Sequence, residues 1–157
     1  MSDRVSPVPA GFHTLTPHLT VKDAAKAISF YEQAFGAQLV WISKTPEGKV
    51  MHATLRIGDS NFMLNDEFPE WGGALSPLST GGSGVTLHIY TEDVNSLFDR
   101  AVAAGAQVKM PLMDAFWGSR YGQLTDPFGH HWSLATHTRD MTPAEVDEAA
   151  KSALARK

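Results

Sequence analysis

Residues 16–23, TPHLTVKD, return seventy positions later as TLHIYTED, residues 86–93. Thr16 matches Thr86, His18 matches His88 and Asp23 matches Asp93. Each copy then enters a run of apolar residues at helical spacing. These are Ala24, Ala27, Ile28, Tyr31 and Phe35 in the first copy, and Val94, Leu97, Phe98 and Ala101 in the second. Asp23 and Asp93 are suited to cap those helices, because a carboxylate accepts the free amide hydrogens of a first turn. Gly36 and Gly105 are suited to stop them, because glycine enters a positive φ at little cost. A Gly-Ala-Gln triplet follows in both copies. A chain that repeats itself this way is built from two copies of one supersecondary unit.

The rest of each unit reads as strands. QLVWISK, VMHATLRIG and NFMLND follow the first helix, and AQVKMP, GQLTDP and HHWSLATH follow the second. The intervening PEG, GDS and DPFG are hairpin turns by composition. FMLN and WSLA again align at the seventy-residue offset. The chain is therefore expected to be α+β, with two tandem βαβββ modules over residues 12–65 and 85–138. Residues 1–11 read as a disordered lead. Residues 66–84, rich in Gly, Ser and Pro, read as a linker or a lid carrying Phe68, Trp71 and Leu75, with a dimer contact as the alternative. In the tail, 139–157, Thr142, Pro143 and Glu145 form a capping-box pattern that predicts a short C-terminal helix.

Composition excludes several classes of function. The length of 157 residues fits one domain of ordinary size. There is no cysteine, so disulfides and thiolate metal sites are out. The net charge is −4 with no basic run, which argues against nucleic acid and anionic membranes as partners. No window holds 18 consecutive apolar residues and the start has no apolar leader, so the expected setting is cytoplasmic.

The phrases VKDAAKAISFYEQAFGA, MHATLRIGDSNFMLND and FWGSRYGQLTDPFGHHWSLATH resemble the vicinal oxygen chelate superfamily, in its PhnB-like branch. This group holds glyoxalase I, extradiol dioxygenases, and fosfomycin- and bleomycin-resistance proteins. The resemblance spans residues 12–138. It implies a curved mixed sheet around a ligand cavity, and a homodimer. It also implies four metal-ligand positions, which fall on Thr16, Met63, Thr86 and Ser133. Hydroxyls and a thioether are poor ligands for a hard divalent ion, so no metal is expected at these positions and no cofactor is called for. The alternative is a divalent metal ion on displaced ligands, His18, His88 and His131. No glycine-rich cofactor loop follows a strand, which argues against the methyltransferase label some of these relatives carry.

Strand alternation sorts the candidate residues. Leu19, Val21, Leu87, Ile89, Phe62, Leu64, Trp132 and Leu134 should face the helices. Thr16, His18, Met63, Thr86, His88, Tyr90, His131 and Ser133 should face the other side, where a small-molecule ligand would lie. Trp117 and Arg120, beside Tyr121 in AFWGSRYG, read as a loop suited to a flat or anionic ligand. The other reading is an Arg–carboxylate pair, with Asp114 or Asp126 as the acid. Trp41 is expected in the core, His52 is ambiguous, and His130 is structural. Three functions follow: a small-molecule binding protein, which is preferred; a metal-dependent lyase, isomerase or dioxygenase; and a protein with no ligand. No Ser-His-Asp spacing or carboxylate pair is evident for covalent or acid–base chemistry.

Overall fold

The computed structural model describes residues 4–156. The first three residues of the expected lead lie outside the described part. Residues 4–11 form bends and a turn without helix or strand. The chain divides into two compact units at Gly82/Ser83.

The first unit contains β1 (His18–Val21), α1 (Ala24–Phe35), β2 (Gln38–Lys44), β3 (Val50–Ile57) and β4 (Ser60–Asp66). These strands form one mixed sheet in the order β1-β4-β3-β2, with β1 parallel to β4 and the rest antiparallel. α1 begins where Asp23 accepts the Lys26 amide, and it ends at Gly36 with φ of 67°. Its Ala27, Ile28, Tyr31 and Phe35 are buried with Leu19, Val21, Leu55, Phe62 and Leu64 of the sheet. Tyr31 packs edge-on against Phe62, with ring centroids 5.7 Å apart.

Asp66 ties this unit together. Its buried carboxylate accepts the Ala24 amide at 2.9 Å and the Val50 amide at 2.7 Å, joining the end of β4 to the starts of α1 and β3. The following segment, expected as a linker or lid, belongs to this unit. It forms a 3-10 turn, Pro69–Trp71, and a one-turn helix α2, Pro77–Thr80. The Glu67 carboxylate accepts from the Ser76 amide and the Ser79 hydroxyl, and the Ser76 side chain, the Ser79 hydroxyl and the Ser76 amide beside it pull its pKa down to about 2. Phe68 is buried, with Trp71 stacked on it at 4.5 Å and the Lys49 ammonium 4.4 Å from its ring centre.

The second unit repeats the plan with β5 (Thr86–Tyr90), α3 (Val94–Ala104), β6 (Gln107–Ala115), β7 (Ser119–Thr125) and β8 (His131–His137). Its sheet runs β5-β8-β7-β6, with β5 parallel to β8. Asp93 accepts the Ser96 amide at the start of α3. Thr136, seventy positions after Asp66, accepts the Val94 amide at 2.9 Å. The same helix-to-strand tie is thus made by a hydroxyl instead of a carboxylate. Phe98 of α3 lies over Gly122, where an added Cβ would come within 2.7 Å of its ring. The buried Asp126 carboxylate accepts the Phe128 and His130 amides and the Trp132 indole N–H, which sets the turn before β8.

The tail forms α4 (Pro143–Leu154), capped by Thr142, whose hydroxyl accepts the Glu145 amide. None of its residues is buried. Two four-stranded mixed sheets with helices and a short C-terminal helix make this an α+β fold of two tandem modules.

Candidate functional site

Each sheet has one face under its helix and one face turned away. In the second unit Gly122 lies beneath α3, so its neighbours along β7, Tyr121 and Gln123, project from the opposite face. Cross-strand register carries that face across the sheet. Tyr121 pairs with Ala135 and Ala135 with Tyr90; Gln123 pairs with Ser133 and Ser133 with His88; Thr125 pairs with His131 and His131 with Thr86.

The upper rows form a cluster of rings. His88 meets Tyr90 edge-on at 4.4 Å and lies nearly parallel to Tyr121 at 6.0 Å. Trp117 meets Tyr121 edge-on at 5.2 Å. His88 Nδ1 is 2.6 Å from the Ser133 hydroxyl. Partial desolvation lowers the pKa of His88 from its ordinary 6.5, which favours a neutral ring at neutral pH. Gln123 Nε2 donates to the Tyr121 phenol oxygen at 2.9 Å. The phenol oxygen accepts in that bond, which leaves its own proton to donate elsewhere. Tyr90 is 70% exposed, so its ring offers open contact surface.

Arg120 does not join this face. As the residue between Ser119 and Tyr121 it projects to the helix side, donating to Asn95 Oδ1 at 2.8 Å and to Asp114 Oδ1 at 3.2 Å. Sequence reading set Arg120 and Tyr121 in a loop. Both lie on β7, because β6 and β7 continue to a tight hairpin at Phe116–Gly118, with Gly118 at φ of 86°. Alternation on a strand, unlike a loop, separates neighbours onto opposite faces.

The first unit carries a different set. His18 pairs in register with Met63, Met63 with Thr54, and Thr54 with Trp41. His52, two residues before Thr54, shares their face. Its ring lies 5.9 Å from His18 and 5.2 Å from Trp41, and its Nε2 is 3.0 Å from the Thr54 hydroxyl. Desolvation, and secondarily the nearby His18, lower its pKa. Asn65 donates from Nδ2 to the Asp66 carbonyl at 2.7 Å, which turns its Oδ1 to His18 Nε2, also at 2.7 Å. An amide oxygen only accepts, so His18 carries a hydrogen on Nε2.

Trp41 was expected in the core. It is 57% exposed instead. Leu39 pairs with Leu55, but the register slips before Trp41, which pairs with Thr54. A bulge at Val40 therefore moves Trp41 to the other face. β6 slips in the same place, between Val108 and Met110, and leaves Lys109 as the extra residue. Alternation alone carries no sign of either slip. His52, Asn65 and Gln123 were legible by parity with Thr54, Met63 and Tyr121 once the strands were placed.

The four positions that the resemblance assigns to metal ligands do not fit a divalent ion. The Thr16 hydroxyl donates to the His13 carbonyl at 3.0 Å, Met63 offers a thioether, and the Ser133 hydroxyl is engaged with His88. Thr86 offers a hydroxyl one row below His88. As for the displaced set, His131 shares that row with Thr86, and its Nδ1 lies 3.1 Å from the Thr125 hydroxyl. Among the described residues no three His, Asp or Glu side chains form a ligand cluster. His137 bonds Asp140 at 2.7 Å, away from these rows. No helix among the described residues is long and apolar enough to cross a membrane.

Residues 11–134 match the glyoxalase/bleomycin resistance protein/dioxygenase superfamily. The chain belongs to that family. An uncharacterised protein of Mycobacterium tuberculosis is 46% identical over 140 residues, covering 88% of this chain and 82% of its own. A crystal structure of an Arabidopsis thaliana gene product is 30% identical with a TM-score of 0.63, covering 79% of this chain and 98% of that one. TioX from Micromonospora is 25% identical with a TM-score of 0.63, covering 80% and 98%. A PhnB protein from Bacillus cereus shares the fold at 24% identity and a TM-score of 0.62, covering 79% and 99%.

Proposed function

We propose that this superfamily member binds a small, flat, uncharged ring system on the open face of its second module. The observation that carries this reading is the contiguous cluster of His88, Tyr90, Trp117 and Tyr121, with one phenol whose oxygen accepts from Gln123 and a histidine held toward its neutral form. Rings of this kind stack on a planar ligand, and the phenol and imidazole orient it by hydrogen bonds. Among the described residues no third side chain is hydrogen-bonded to His88 to orient the His88–Ser133 pair, and the donor set at the family's metal positions is unsuited to a divalent ion. Binding without turnover is the function these residues support, in the cytoplasm and as the homodimer implied by the family.

The test is a thermal-shift screen of flat heteroaromatic compounds, followed by Trp fluorescence titration of the hits. Tyr121→Ala and His88→Ala should each weaken binding about tenfold or more, the loss of one ring contact with its hydrogen bond. Hits that bind both variants as tightly as the parent, or no stabilising compound in a broad screen, would refute the reading.

A further inference from the structure

The lowest row of the second module's open face leads into a cavity of about 240 Å³. All four strands contribute to it: Thr86 from β5, Lys109 from β6, Gln123 and Leu124 from β7, and His131 and Trp132 from β8. We propose that this cavity is a subsite for a small oxyanion, a carboxylate or a phosphate group, held by Lys109.

Three observations carry it. The first is the bulge. The ladder pairs Val108 with Leu124 and Met110 with Gln123, so Lys109 is left over at the first of two register slips in β6. A bulge re-aims its extra residue, and here Lys109 is among the residues that line the cavity. The second is charge. Lys109 makes no ion pair or hydrogen bond among the described residues, and no carboxylate lines the cavity. The nearest acid along β7, Asp126, is buried and committed to two amides and an indole N–H. The third is donor supply. The Thr86 hydroxyl makes no hydrogen bond to another described residue, and Gln123 and His131, which line the same cavity, keep one amide hydrogen and the Nε2 atom beyond their bonds to Tyr121 and Thr125. An ammonium with hydrogen-bonding side chains around it, in a recess lacking acids, matches the chemistry of an oxyanion.

The first module sharpens the assignment. Its β2 bulges at the corresponding place, but the extra residue is Val40. The device is repeated and the charge is not.

The inference builds on the reading above, because the anion would be one end of the ligand whose ring rests on Tyr121. Gln123 is one two-residue step from Tyr121 and His131 is one row further, so ring and anion would sit about 7–13 Å apart. Calorimetric titration with three probes, inorganic phosphate, benzoate and benzamide, separates the two claims. The variants are Lys109→Met and Lys109→Arg, each checked by thermal melt. Phosphate or benzoate should bind saturably, weaken about tenfold in Lys109→Met and recover in Lys109→Arg. Binding by benzoate alone identifies a carboxylate source, and by phosphate alone a phosphate source. If neither anion binds, or Lys109→Met binds both unchanged, the subsite is refuted. Benzamide should be indifferent to Lys109; anion binding without any benzamide binding would count against the ring reading and leave the subsite standing.

Discussion

The two modules share a frame and differ in what they display on it. Asp23 and Asp93 cap their helices in the same way, and His18 and His88 occupy matching places seventy residues apart. Each histidine pairs across to the matching position of the partner strand, Met63 or Ser133. Around that frame the chemistry parts. His18 is oriented by an amide and faces His52, which in turn meets Trp41, whereas His88 is oriented by a hydroxyl and faces Tyr90 and Tyr121. Val40 bulges from one β-ladder and Lys109 from the other. The positions that make the fold are held by buried ties, while the open faces carry rings whose identity the fold does not fix, with Trp41 and Tyr90 largely exposed.

The helix-to-strand tie is where the modules should differ most in stability. Asp66 accepts two buried amides with a carboxylate, whereas Thr136 offers the Val94 amide a single hydroxyl. Asp66→Ala should cost about 3 kcal/mol or more, and Thr136→Ala about 1–2 kcal/mol, measured by urea unfolding. Equal losses would mean that the two ties are energetically interchangeable and that the carboxylate adds nothing.

The helix–sheet contact comes next. Ala53 is fully buried in the first module, while the second leaves no room for a Cβ at Gly122 beneath Phe98 and Leu112. Gly122→Ala should destabilise by about 2 kcal/mol through overpacking. Ala53→Gly should cost about 1 kcal/mol through backbone entropy and lost burial. A neutral Gly122→Ala would show that α3 shifts freely over its sheet.

The smallest effect is with pH, and here the modules should agree. His52 and His88 both have pKa values lowered by desolvation. Below pH 6.5 the unfolded chain therefore binds more protons than the native one. Stability should be level above that point and decline as the pH falls from 6.5 through the lowered native values. His52→Gln and His88→Gln should each flatten the decline. A slope that neither substitution alters would assign it to other groups.

Much of the frame was readable from residue order. The repeat, the two Asp caps, the glycine stops and the capped C-terminal helix all follow local rules, and the structure has each of them. The faces were only partly readable. Alternation found His18, His88, Tyr90 and Ser133, but it carries no information about register slips. It therefore put Trp41 in the core and gave Lys109 no role. Arg120 was misplaced for a related reason: three aromatic or charged residues near a glycine look like a loop until the hairpin shows that β7 begins at Ser119. The role of Asp66 was hidden because its partners, Ala24 and Val50, are distant in the chain.

On the proposed function, the ligand lies on the open face of the second module and not of the first. Backbone amide shifts followed by NMR during titration with the tightest flat compound from the screen decide between the two faces. Saturable shifts should centre on His88, Tyr90, Trp117 and Tyr121, with little change at His18, His52 and Trp41. Shifts centred on His18, His52 and Trp41 instead, or spread evenly over both modules, would contradict it.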